Sequence, residues 1–243
     1  MATIKCKNIG FSNIEAILFD KNGTLEDSES YLRTLGQKAA RMIDAQIPGI
    51  GEPLLMAFGI NGNFLDPTGL ISVASRRETE VAAAAYIAET GRGWFESLKI
   101  ARQALEEAEQ YVGKTPSPLF VGSLEILKSL SVAGLKLGIL SAATTQEVKK
   151  FVNTHQLSDY LQLEKGVDDG PSKPDPTLFL EACQALGVSP EATLMVGDSM
   201  GDMQMARDAK AAGCIGITWI ARADNVQGAD VVINQIDEIQ VIA

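Results

Sequence analysis

The sequence predicts an α/β fold, a parallel sheet wound with crossover helices and interrupted by a helical insertion. Three observations carry this. Short runs of branched apolar residues recur without polar alternation, as strands buried on both faces require. Helical patterns separate the later runs, the alternation a parallel sheet needs. One interval, from Asp20 to Leu135, far exceeds the roughly thirty residues of a crossover unit, and its excess is helical in pattern.

Taken in order, the first strand is placed at residues 14–19. In the long interval, Tyr31, Leu32, Leu35, Ala39, Met42 and Ile43 share one helical face, as do Trp94, Phe95, Leu98, Leu105 and Val112. The alanines at 82–85 suit close helix packing, and Asn61 and Asn63 about Gly62 suit a turn. The interval reads as a helical cap domain at 28–114, inserted into a Rossmann-like core of 1–27 and 115–243, with Pro116 and Pro118 at the return hinge. Further strands are placed at 135–140, 193–196 and 214–218, with a fifth at 230–233. Thr144 and Glu147 form a capping box for a helix reaching toward Thr154. Asp175 and Pro176 read as N-cap and first residue of a helix closed by Gly187, while Gly134 and Gly213 end helices before two strands.

Composition narrows the function classes. A net charge of −10 with no cluster of Lys and Arg argues against nucleic acid as a partner. Cys6, Cys183 and Cys214 are odd in number and far apart, which fits free thiols in a reducing compartment. No stretch of about twenty apolar residues suggests a membrane span, and the start lacks a signal-peptide pattern, so the expected location is the cytoplasm.

In an open parallel sheet, ligands bind beyond the carboxyl ends of the strands. The first strand is followed by Asp20, Lys21, Asn22, Gly23 and Thr24, the second by Ser141, and the third by Gly197, Asp198 and Ser199, with Asp202 four residues after Asp198. Acids converging from separate strands are held together by a divalent cation, and oxygen ligands favour Mg²⁺. Lys173 can approach the same crevice and offset anionic charge there. Gly23 permits a tight turn. Each residue also has a plainer reading: Asp20 as a turn residue, Ser141 as a helix cap, Lys173 as a solvated charge, and Asp198 and Asp202 as acids at the start of a helix running to Ala212.

Together these residues resemble the four motifs of the haloacid dehalogenase superfamily, in its phosphatase branch with a helical cap inserted after the first strand. The resemblance runs from Ile14 to about Ile233. It implies that Asp20 is a nucleophile forming an aspartyl phosphate and that Ser141 and Lys173 hold the transferring phosphoryl group. It implies that Asp198 ligates Mg²⁺ with Asp20 and the main-chain carbonyl of Asn22, and that Asp202 supports that ligation or orients Lys173. The implied partner is a small phosphorylated metabolite, touched by Gly23 and Thr24 and, in the cap, by Arg76 and Arg77; a solvated helix start is the plainer reading of the arginines. Closure of the cap would exclude water during transfer.

The departure lies at Asn22, where phosphatases of the family have an aspartate that protonates the leaving oxygen and then activates water. An amide does neither. Three readings stay open: an exchange made to trap a bound state, a natural form with a long-lived phosphoenzyme or weak activity, and a non-catalytic relative that binds a phosphorylated ligand. A phosphomutase, with the same nucleophile, is the alternative enzyme class. His155 reads as a helix C-terminal charge and Trp94 and Trp219 as packing residues.

Overall fold

The computed structural model describes residues 1–112, 115–219 and 223–242. In chain order it contains β1 (Ala2–Cys6), β2 (Ile9–Ile14), β3 (Ala16–Phe19), α1 (Glu29–Gln46), α2 (Gly51–Phe58), β4 (Ile60–Asn61), β5 (Phe64–Leu65), α3 (Leu70–Val73), α4 (Arg76–Glu89), α5 (Trp94–Val112) and α6 (Ser123–Val132). There follow β6 (Lys136–Leu140), α7 (Thr145–Thr154), β7 (Leu163–Lys165), α8 (Thr177–Leu186), β8 (Thr193–Gly197), α9 (Met200–Asp208), β9 (Gly213–Ile217), β10 (Val231–Ile233) and β11 (Ile239–Ile242). The chain divides into a unit of Met1–Asp27 with Pro118–Ala243 and a unit of Ser28–Ser117. The expected cap boundary at Lys114 lies outside the described residues.

The larger unit holds a six-stranded sheet in the order β10-β9-β8-β3-β6-β7, parallel throughout. Its strands are apolar on both faces, and each face has its own core. Ile17 and Phe19 of β3 pack with Leu137, Val196 and Ile215 beneath α6 and α7, whereas Ala16 and Leu18 pack with Met195 and Cys214 beneath α8 and α9. Burying a side chain such as Phe19 contributes about 1.5–3 kcal/mol. The chain leaves β3 for α1, and the neighbours of β3 are β6 on one side and β8 on the other, so the order reverses about β3. The crevice expected at such a reversal lies at the ends of these three strands.

The structure adds strands that the sequence reading lacks. β7 extends one edge of the sheet, and β11, β1 and β2 form a separate antiparallel sheet. The run at 14–19 is two strands: Ile14 closes β2, and β3 begins at Ala16. The Thr144–Glu147 capping box is present, and Gly187 closes α8 in the left-handed conformation with φ 63°. Asp175 stands one residue further out than expected: Pro176 is the N-cap, and Asp175 Oδ1 accepts from the Thr177 N–H at 2.8 Å. Gly213 does not end a helix. α9 stops at Asp208, and Gly213 opens β9, where a Cβ would meet the Phe11 ring.

The smaller unit is built round its own core of Leu35, Ala39, Ala40 and Ile43 from α1, Leu54 and Phe58 from α2, Ala83, Ala84 and Ile87 from α4, and Ala101, Ala104, Leu105 and Ala108 from α5. Small side chains on α4 and α5 let the two helices approach closely. Trp94 and Phe95 are not part of the buried face; they are 43% and 86% exposed. The buried stripe of α5 is made of Ser97, Ala101, Ala104, Leu105 and Ala108, and the two aromatic residues at its start lie off it. Gly62, with φ 58°, makes the turn between β4 and β5. Among the described residues, no helix is long and apolar enough to cross a membrane.

Candidate active site

Asp20 begins a tightly knotted loop at the end of β3. Its N–H donates to the Val196 carbonyl at 2.8 Å, so β8 fixes where the loop starts. The Lys21 carbonyl accepts from the N–H groups of Thr24, Leu25 and Glu26, and the Gly23 N–H donates to the Glu26 carbonyl at 2.9 Å. Gly23 has φ 73°, and a Cβ there would collide with the Asp198 carboxylate. A glycine at this position lets the loop backbone and the carboxylate following β8 lie in contact.

Asp198 follows β8, and Asp202 lies in the first turn of α9. Asp20, Asp198 and Asp202 each offer one carboxylate oxygen within 4.8 Å of the others. Lys173 is buried beside them, its Nζ 2.5 Å from Asp20 Oδ1 and 2.6 Å from Asp202 Oδ1. The contact with Asp202 is a close ion pair whose geometry is poorer than that of the Asp20 hydrogen bond. The second Asp202 oxygen accepts from the Ser199 hydroxyl at 2.6 Å and its N–H at 3.2 Å, in a capping box. One Asp202 oxygen is thus bonded to Ser199 and the other lies against the Lys173 ammonium. Ser141 is buried after β6; its Oγ accepts from the Ala143 N–H at 3.2 Å, which leaves the hydroxyl proton free to donate.

The electrostatics follow from this crowding. Burial pushes the Asp20 carboxyl up to about 6, with Lys173 pulling against the rise and Asp202 adding to it. Burial, then the charges of Asp20 and Asp202, holds Asp198 well above the usual carboxylate range. Burial disfavours the Lys173 ammonium, yet the charges of Asp20 and Asp202 outweigh it and hold that group above the usual lysine range. Three carboxylates against one ammonium leave a surplus of two negative charges when all are ionised. A divalent cation fits that surplus, and the all-oxygen donor set suits a hard ion.

The other expected site residues have the following surroundings. Arg76 bonds Glu80 at 3.0 Å and Glu109 at 2.8 Å within the helical unit, so its guanidinium links α4 to α5. Arg77 is exposed. Thr24 is fully buried with its hydroxyl unpartnered. His155 caps the end of α7 with Nε2 buried and unpartnered.

Three contributions escaped the sequence reading. Trp219 stacks on Phe120, ring centroids 4.1 Å apart, and also donates from Nε1 to the Gly23 carbonyl at 3.1 Å. Lys21 is buried, bonded to Glu26 Oε2 at 2.5 Å and to Asn22 Oδ1. Ser199 braces Asp202, and the Ser-x-x-Asp spacing could have revealed it; nothing in the sequence marked the other two.

A family model described as haloacid dehalogenase-like hydrolase matches residues 14–210. The phosphoglycolate phosphatase of Escherichia coli strain K12 is 26% identical over 236 residues, covering 94% of this chain and 92% of that protein. The crystal structure of a predicted phosphoglycolate phosphatase from Haemophilus somnus 129pt aligns with a TM-score of 0.71 at 20% identity, over 93% of this chain and 96% of that one. A β-phosphoglucomutase from Clostridium difficile aligns with a TM-score of 0.63 at 18% identity, over 91% of each. At these identities the two structures show a shared fold. The family match spans most of the chain, including the ends of β3, β6 and β8 where Asp20, Ser141 and Asp198 lie, and the chain belongs to the haloacid dehalogenase-like hydrolases.

Proposed function

We propose that this protein is a Mg²⁺-dependent phosphatase of small phosphorylated metabolites, working through a covalent phosphoryl intermediate on Asp20. The observation that carries the reading is the gathering of Asp20, Asp198 and Asp202 about one buried lysine. Asp20, Asp198 and the Asn22 carbonyl would hold the ion, while Asp202 supports the site by orienting Lys173. When bound, Mg²⁺ would neutralise charge on the phosphoryl oxygens, so that an anion can approach a carboxylate. Asp20 then attacks phosphorus, Lys173 offsets the negative charge of nucleophile and phosphoryl group together, and the Ser141 hydroxyl donates to a phosphoryl oxygen. The phosphoglycolate phosphatase named among the relatives is consistent with a small anionic substrate. The helical unit is read as a cap carrying substrate selectivity, with Arg76 and Arg77 as its candidate recognition residues. Three buried free cysteines fit action in the cytoplasm.

Asn22 sets the speed. Loss of a positioned acid/base group removes about 10²- to 10⁴-fold in rate, so hydrolysis is slow. The test is Mg²⁺-dependent phosphate release over a panel of phosphorylated metabolites, comparing the chain with Asn22→Asp and with Asn22→Asp/Asp20→Ala. Turnover should rise in the first and vanish in the second; undiminished release in the double variant would defeat the reading. Transfer of the phosphate back to sugar would indicate a mutase. Binding without release, even after Asn22→Asp, would indicate a non-catalytic relative.

A further inference from the structure

The surroundings of Asn22 bear on which phosphorylated compounds the site can use, an inference that rests on the proposed phosphoryl transfer to Asp20. The Asn22 side-chain oxygen accepts from Lys21 Nζ. That ammonium is itself fixed in a buried ion pair with Glu26 at 2.5 Å, with the Phe151 ring 5.5 Å from it. Lys21 thereby holds the amide by its oxygen, and Nδ2 has no hydrogen-bond partner among the described residues. An amide has N–H groups to donate but no proton to release to a departing oxygen. The other ammonium at the site, Lys173, is engaged by both Asp20 and Asp202. Lys21 is similarly engaged by Glu26 and Asn22.

We infer that this protein acts on phosphorylated compounds whose leaving oxygen departs as a stable anion, namely acyl phosphates, in preference to alkyl phosphate esters. In the first step the Asp20 oxygen bonds to phosphorus, the bond from phosphorus to the leaving oxygen breaks, and the electron pair departs with a carboxylate. No proton is needed, because the conjugate acid of that leaving group ionises near ~4, as Asp and Glu do. One acyl phosphate replaces another, and the exchange is close to balanced. An alkyl ester would have to expel an alkoxide whose conjugate acid ionises near water's ~16, and the alkoxide would attack the new acyl phosphate in return. In the second step water bonds to phosphorus, Asp20 leaves with its electron pair, and both water protons stay with the product as dihydrogen phosphate.

The experiment uses the full chain with Mg²⁺ in single-turnover, acid-quenched reactions. The probes are acetyl phosphate and 2-phosphoglycolate, each given to the unmodified protein, Asn22→Asp and Asp20→Asn, with intact mass spectrometry verifying the amide at position 22. The unmodified protein should take phosphate from acetyl phosphate at least ~100-fold faster than from 2-phosphoglycolate, the lower end of what an acid/base group supplies. Asn22→Asp should raise the 2-phosphoglycolate rate about 10²- to 10⁴-fold and change the acetyl phosphate rate less than about tenfold. Equal acceleration of both probes, or comparable rates in the unmodified protein, overturns the leaving-group inference and leaves the nucleophile standing. Labelling of Asp20→Asn as fast as the unmodified protein, or no phosphoenzyme from either probe in any form, overturns the parent reading and this inference together.

Discussion

Replacing Lys173 with methionine keeps an apolar stem and removes the ammonium that holds the site together. Contacts at 2.5 Å to Asp20 and 2.6 Å to Asp202 disappear, all three side chains being at most 8% exposed. Breaking a buried ion pair from one side costs about 3–5 kcal/mol, a large part of the roughly 5–15 kcal/mol that stabilises a typical protein. The acids can escape by taking up protons, which gives the loss a pH dependence of definite sign. Asp20 already titrates near 6 in the metal-free site, above an ordinary aspartate, and loss of Lys173 drives it higher. Between the unfolded and the folded pKa the folded state binds more protons, so the contribution turns unfavourable as pH rises through that window. Urea unfolding in EDTA should therefore show the full loss at pH 8 and about half of it or less at pH 5. Mg²⁺ at 100 times its dissociation constant should return up to about 2.7 kcal/mol. A loss below about 1 kcal/mol at pH 8, or the same loss at both pH values, would refute the claim that Lys173 holds Asp20 and Asp202 in the crowded site.

Gly23→Ala forces a Cβ onto the Asp198 carboxylate at φ 73°; strain of about 1–2 kcal/mol should weaken Mg²⁺ binding roughly tenfold or more in a calorimetric titration. In the unmodified protein, protons compete with Mg²⁺ for Asp20, whose carboxyl is pushed up to about 6. Affinity should thus fall as pH drops through that value, with proton release on binding near it, and a flat profile from pH 5 to 8 would contradict the assignment. Trp219→Phe keeps a ring against Phe120 and loses the bond to the Gly23 carbonyl; thermal unfolding should report a loss of about 0.5–1.5 kcal/mol.

The strands that position the site were legible because β3, β6 and β8 are short, continuously apolar and followed at once by polar residues with few other uses. Asp20, Ser141 and Asp198 could be placed from that alone. Lys173 and Asp202 were legible as participants, with orientation of Lys173 as one of the two roles expected of Asp202; the Ser199 hydroxyl bond and the Lys173–Asp202 ion pair that place them are tertiary facts. Elements stabilised from far along the chain were missed. β1 pairs with β11 across more than two hundred residues, and the partly buried β7 offers three residues of mixed character at the sheet edge. On α5 Leu105 is buried as expected, with Leu98 and Val112 packed against the core, but Trp94 and Phe95 lie off the buried face, where close packing against α4 favours small residues such as Ala101, Ala104 and Ala108. The bond from Arg76 to Glu109 was not legible for a related reason, since the two lie 33 residues apart.

The most direct test is chemical trapping of the acyl phosphate. The protein would be incubated with Mg²⁺ and acetyl phosphate, quenched in acid, reduced with borohydride and digested for peptide mass mapping. Reduction converts a phosphorylated aspartate to homoserine, and the mass change should fall on Asp20, only when Mg²⁺ and the phosphate donor are both present. Homoserine at any other aspartate, or an unaltered Asp20 after complete quenching, would contradict a covalent phosphoryl group on this carboxylate.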